Sequence, residues 1–119
     1  MPELSAPVFQ ILLSLLERDA HGYAVILDVR ERTGGEIDLT ASTLYAALKR
    51  LKSQGWIEEV KRRTRPTDDD PRRRYYRITR EGREAARAEA LRLERFTAMA
   101  RERRLLPALR TAPSPKGTR

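Results

Sequence analysis

The hydrophobic pattern changes period at Gly55, and that switch limits the fold more than any other feature of the chain. Before it, apolar residues recur at helical spacings. Val8, Phe9, Ile11, Leu12, Leu13, Leu15 and Leu16 do so from about Ser5 to Arg18 and cover more than one stripe, so this helix is expected to be covered on two sides. After a break, "DAHG", a second helix is expected from Tyr23 to about Thr33, with Tyr23, Ile26 and Leu27 on one face and Gly34-Gly35 as its stop. A third begins near Thr40, a good N-cap, and runs to Gly55. Beyond Gly55 the residue types favour strands: "WIEEVKRR" (Trp56–Arg63) and "RRRYYRIT" (Arg72–Thr79) flank a proline- and aspartate-rich turn. Helix, helix, helix, hairpin is the order of a winged helix-turn-helix.

A long helix is expected after the hairpin, from about Arg80 to Leu106, with Thr79 as cap and Glu81 in its first turn. Ala86, Ala90, Leu93, Thr97 and Ala100 repeat by alternating steps of four and three, as in a helix seam, and Leu91, Phe96, Met99 and Leu105 add apolar surface beside it. So much apolar surface calls for a partner, and the same helix of a second copy, together with the two-sided first helix, is the simplest one. The candidate dimerisation residues are Leu12, Leu16, Ala86, Ala90, Leu93, Phe96 and Ala100. Pro107 stops the helix, and "TAPSPKGTR" reads as a disordered tail. The expected organisation is a DNA-binding domain over 1–79, a dimerisation helix over 80–106 and a tail over 107–119. The fold class is α+β and mostly helical.

Charge divides along the same lines. Of 119 residues, 25 are Lys or Arg and 17 are Asp or Glu, for a net +8. Residues 1–60 hold 6 basic and 9 acidic side chains, residues 61–80 hold 9 and 3, and residues 81–119 hold 10 and 5. A positive segment beside a slightly negative body is the footprint of a nucleic-acid binder. Within the hairpin, "KRRTRPTDDDPRRRYY" places Arg62, Arg63, Arg65, Arg72, Arg73 and Arg74 on the arms and Asp68, Asp69 and Asp70 at the tip. Such arginines are expected to supply salt-sensitive, sequence-blind affinity for phosphate, and the aspartates are expected to pair with Arg62, Arg65, Arg72 or Arg73 when no nucleic acid is present.

The third helix divides in the same functional sense. Leu44, Ala47, Leu48 and Leu51 share one face and form core, while Ser42, Ala46, Lys49 and Ser53 lie opposite, flanked by Thr43 and Arg50. An apolar back with a front of small polar and basic groups suits entry into a major groove, with discrimination expected from Ser42, Thr43, Lys49 and Arg50. Enzyme classes find no support. The chain has no cysteine and one histidine, His21, with no glycine-rich phosphate loop and no paired carboxylates on an apolar face, so no metal or cofactor is expected. "APVFQILLSLL" is broken by polar residues and is shorter than the ~20 residues of a membrane span, and it lacks the features of a signal peptide. A cytoplasmic protein is expected.

With these residues laid out, the chain resembles the PadR family of bacterial transcriptional regulators, in its short form with a single C-terminal helix. The motifs that carry the likeness are "HGY" at His21–Tyr23, "GG" at Gly34-Gly35, "STLYAALKRLKSQGWIEE" from Ser42 to Glu59, and "RRYYRITREG" from Arg73 to Gly82. They extend it over roughly residues 4–90. Ala46 stands where the family often has proline. The resemblance implies a homodimeric winged-helix repressor on an inverted-repeat operator, often released by a small ligand, with DNA contact at Ser42, Thr43, Tyr45, Lys49 and the wing arginines. Some relatives stack planar drugs between tryptophans, and this chain has no tryptophan in its last helix. His21 and Tyr23 are read as fixing the entry to the second helix, and Trp56 as core. Two other readings stay open: a winged helix that binds structured RNA, and an adaptor that docks a different chain on its long helix.

Overall fold

The computed structural model describes residues 4–61 and 74–109. Its elements are α1 (Ala6–Glu17), β1 (Ala20–His21), α2 (Gly22–Arg32), α3 (Ala41–Ser53), β2 (Ile57–Val60), β3 (Tyr75–Ile78) and α4 (Arg80–Glu102). This is the winged helix-turn-helix read from the sequence. Residues through Glu89 form one compact unit, and those from Ala90 onward form a second. The hairpin tip with Asp68–Asp70 and most of the expected tail lie outside the described residues. Among the described residues no helix is long and apolar enough to cross a membrane.

Each helix begins where a side chain satisfies an otherwise orphaned amide. Ser5 accepts from the Val8 N–H at 3.3 Å, His21 Nδ1 from Ala24 at 3.1 Å, and Thr40 Oγ1 from Thr43 at 3.1 Å. Gly34, Gly35 and Gly55, at φ 63°, 87° and 79°, close α2 and α3 in the left-handed region where a side chain is strained. α2 starts one residue before the expected position, because His21 rather than Gly22 is the cap.

The sheet has three strands, not two. β1 joins β3, giving the order β1-β3-β2, all antiparallel. The pairs Ala20↔Tyr76 and His21↔Tyr75 place the "DAHG" break at the sheet edge, where the His21 and Tyr75 rings meet edge to face at 5.3 Å. On the other side, Ile57 pairs with Ile78 and Glu59 with Tyr76. The core gathers Ile11, Leu12 and Leu15 of α1, Val25 and Val29 of α2, Leu44, Leu48 and Leu51 of α3, and Ile57, Tyr76, Ile78 and Ala86.

A polar cluster joins α1 to α2. Arg32 donates from Nη2 to Ser14 Oγ (2.6 Å) and to the Gln10 carbonyl (2.9 Å), and from Nε to Asp28 Oδ2 (3.0 Å). Ser14, buried on the α1 face, donates to the same carboxylate at 2.7 Å, so its hydroxyl is paired on both sides. Burial pushes the Asp28 carboxyl up, but hydrogen bonds from Ser14 and Arg32, with the charges of Arg32 and Arg18, outweigh it and hold the carboxyl below its ordinary range. Glu89, also buried, accepts from the Leu4 amide at 3.4 Å and ties the start of the described chain to α4.

The tightest junction lies where α3, β2, β3 and α4 meet. Thr79 donates its hydroxyl to the Gly55 carbonyl (2.6 Å) and its amide to the Trp56 carbonyl (3.0 Å), while the same hydroxyl accepts from the Gly82 amide at 3.1 Å. Gly82 sits so close to this turn that a Cβ would overlap the Trp56 carbonyl oxygen and come within 2.8 Å of Ile78 Cγ1. At its far end α4 stops at Glu102, short of the expected Leu106. Arg104 turns to φ 63°, and Leu105 N–H bonds the Ala100 carbonyl at 2.9 Å, a Schellman-type closure built without glycine.

Two outcomes follow from these contacts. Gly82→Ala places a methyl against backbone that cannot rotate away, so urea unfolding should show a loss of about 2–4 kcal/mol. For Asp28, a folded-state pKa below the unfolded value of about 3.9 gives stabilisation that is complete above that value and is lost as pH falls through the lower folded one. Melts of the wild type and Asp28→Asn, compared from about pH 6 downward, should therefore differ most at neutral pH and converge in acid.

Candidate nucleic-acid interface

α3 carries its apolar residues inward: Leu44 is fully buried, and Ala47, Leu48 and Leu51 are at most 4% exposed. Because 3.6 residues make a turn, this fixes the opposite face outward. Ser42, Thr43, Ala46, Lys49, Arg50 and Ser53 are all exposed. The Thr43 hydroxyl accepts from Thr40 Oγ1 at 2.9 Å, which leaves its own proton free to donate outward. Lys49 and Arg50 take part in no ion pair among the described residues. The result is a preformed, positively charged ridge with small hydroxyls at its leading end.

Tyr45 borders this ridge, 48% exposed, and is held by the start of α2. A Cβ on Gly22 would lie 2.5 Å from the Tyr45 hydroxyl and 2.7 Å from its Cζ, so the missing side chain at Gly22 is the seat of the Tyr45 ring. Gly22 was not singled out for this by periodicity, since a glycine at a helix start reads only as a boundary.

Along the other flank, Lys52 in the last turn of α3 donates to Glu59 Oε1 at 2.9 Å, and Arg74 donates to Glu59 Oε2 at 3.1 Å. The Lys52 hydrogen bond, then burial opposing it, then the charges of Lys52 and Arg74 leave the Glu59 carboxyl below its ordinary range. Tyr76 lies beside this group; burial first, and then the Glu59 charge, push its phenol up. Of the arginines expected on the wing, Arg74 is exposed just before β3, and Arg62, Arg63, Arg65, Arg72 and Arg73 lie outside the described residues.

The residues expected at a dimer seam separate into two groups. Leu12 (0% exposed) and Ala86 (2%) are consumed in the core of the first unit and present nothing to a second copy. The periodicity that suggested them is core periodicity. Leu16 stays 37% exposed. In the second unit Leu93 and Phe96 are 40% and 46% exposed, Ala90 is exposed and Ala100 is half-buried. The Arg92 and Arg95 guanidiniums lie over the Phe96 ring at 5.2 and 5.7 Å.

Comparison with known proteins agrees with this arrangement. The model of the transcriptional regulator PadR-like family matches residues 11–88. A transcriptional regulator from Clostridium thermocellum superposes with a TM-score of 0.65 at 29% identity, over 82% of this chain and 90% of that one. A PadR family transcription regulator from Clostridium difficile superposes at 0.70 with 26% identity, over 82% and 97%. A curated, uncharacterized protein from Lysinibacillus sphaericus is 35% identical over 69 residues, which cover 58% of this chain and 61% of that protein. The chain thus spans about three fifths of that relative's length.

The Gly22–Tyr45 contact predicts a coupled pair. Gly22→Ala should lower stability by roughly 1–3 kcal/mol, and adding Tyr45→Ala should recover most of that loss, because the clashing ring is then gone. Chemical denaturation of the two single variants and the double variant reads the coupling directly.

Proposed function

The chain belongs to the PadR-like family of transcriptional regulators, and from that premise we propose that it is a repressor that binds an inverted-repeat DNA operator as a homodimer. The observation that carries this reading is the outward face of α3, where Ser42, Thr43, Lys49 and Arg50 stand exposed over a fully buried back. The leading end of the helix enters the major groove, where Ser42 and Thr43 reach base edges. Lys49 and Arg50 meet phosphate or base from the next turn, and Tyr45 braces the approach from its seat on Gly22.

Affinity without sequence preference comes from Arg74 and the neighbouring arginines 62, 63, 65, 72 and 73, each of which releases counterions as it neutralises a phosphate. Two copies associate through apolar residues of the second unit, the exposed Leu93 and Phe96 and the half-buried Ala100, with Leu91 and Met99 beside them. Two-fold symmetry then sets two α3 ridges into successive major grooves about 34–36 Å apart. A small effector bound between the terminal helices releases the operator by favouring a different separation of the ridges. Such a protein works where chromosomal DNA is, in the cytoplasm.

The test is selection of binding sites from a random duplex library, with light scattering on the same protein. A palindromic consensus and a dimer mass are the expected results. A stable monomer with no duplex affinity in dilute salt, or a preference for structured RNA in competition, refutes the reading. Within it, Arg74→Ala should weaken all duplexes alike and flatten the salt dependence of log K by about 0.9 per protomer, whereas Ser42→Ala should change the preference among operators.

A further inference from the structure

β2 alternates as a half-buried strand does: Ile57 points into the core, and Glu59, two residues on, shares its face toward α3. Along α3, Tyr45, Lys49 and Lys52 follow one another at i, i+4 and i+7, so they form a stripe that runs up to Glu59. Each oxygen of the Glu59 carboxylate holds one cation, Lys52 at 2.9 Å and Arg74 at 3.1 Å. Lys52 and Arg74 remain 52% and 68% exposed, whereas Glu59 is 28% exposed. The acid therefore lies behind the two bases, on the protein side of a surface that would meet DNA.

We infer that Glu59 is an internal competitor for phosphate, which restrains Lys52 and Arg74 and thereby holds down the sequence-blind affinity of the protein for DNA. The inference rests on the DNA-binding reading proposed above. A carboxylate oxygen and a phosphate oxygen are equivalent acceptors for Lys52 Nζ and Arg74 Nη1. Either base must loosen its hold on Glu59 to neutralise a phosphate, and the carboxylate left behind repels the incoming anion. Two positive charges thus act as little more than one. The base-reading hydroxyls of Ser42 and Thr43 sit at the opposite end of α3 and are untouched. Restraint of this kind keeps a basic protein from being held on bulk DNA while its groove contacts remain intact.

The experiment uses the full chain with Glu59→Gln, which keeps the shape and removes the charge. Retention on heparin reads polyanion affinity without assuming DNA as the partner, and a random-sequence duplex titrated over a range of salt reads the DNA term. Expected results are later elution from heparin, about three- to tenfold tighter binding of the random duplex, and a salt slope more negative by up to about 0.9 per protomer. In the wild type, Lys52→Met should reduce heparin retention less than Lys49→Met does, and in the Glu59→Gln background the two should cost the same. That convergence is not expected of an acid with a merely structural role.

Unchanged or weaker binding by Glu59→Gln, with its melting temperature preserved, overturns the inference and makes Glu59 a support that orients the two bases. If Glu59→Gln does not fold, the Lys52 and Lys49 comparison in the wild type decides, and equal losses overturn it. Stronger heparin retention in a protein that ignores duplex DNA leaves the charge restraint standing and removes the DNA-binding reading instead.

Discussion

The structure turns on a few atoms around Thr79. One hydroxyl both receives the Gly82 amide and reaches the Gly55 carbonyl, and the Thr79 amide reaches the next carbonyl, at Trp56. Gly55–Trp56 is the point at which α3 ends and β2 begins, and Thr79 is where β3 ends and α4 begins. A single capping residue therefore fixes two chain reversals against each other. The close approach is possible only because position 82 lacks a side chain. The orientation of α3 relative to the hairpin, on which any use of its outer face depends, is set at this junction.

α2 packs on the other side of α3, and α2 is itself fixed to α1 by polar as well as apolar contacts. Arg32 stitches α2 to Gln10 and Ser14 of α1, with Asp28 completing the group. Arg77 bonds Asp19 at 2.9 Å and ties the sheet to the segment between α1 and β1. Such surface pairs contribute little energy individually. Their effect is directional: they select one packing of helices whose apolar faces alone would tolerate sliding. With α2 fixed, Gly22 is fixed, and so is the ring of Tyr45 above it.

What could be read from the sequence follows the range of the interactions involved. The caps at Thr40 and Thr79, the glycine stops and the change of period at Gly55 are local chemistry, and α3, the start of α4 and the two hairpin strands fall within the stretches those signals mark. β1 was hidden because two residues have no period; only pairing with Tyr75 and Tyr76 makes them a strand. The end of α4 was misplaced because Arg104 takes the left-handed turn usually left to glycine. Leu12 and Ala86 show the limit of stripe reasoning, since periodicity marks a face as apolar without saying whether its cover comes from the same chain. The Tyr45 seat and the Glu59 bridge join residues 23 and 15 positions apart, so no short-range pattern announces them.

The distribution of acids gives the clearest account of why a slightly negative body suits this protein. Asp28 is occupied by Arg32, Asp19 by Arg77, Glu59 by Lys52 and Arg74, and Asp38 lies 4.0 Å from Arg30. Each of these acids answers a base on the scaffold, so Arg30, Arg32, Lys52, Arg74 and Arg77 are neutralised where they stand. Lys49 and Arg50, on the outer face of α3, have no such partner among the described residues. These two cations are therefore open to an anion without first leaving a carboxylate. A basic protein that left all its cations unanswered would meet a polyanion in many orientations, whereas answering a share of them at fixed positions narrows the faces that can do so.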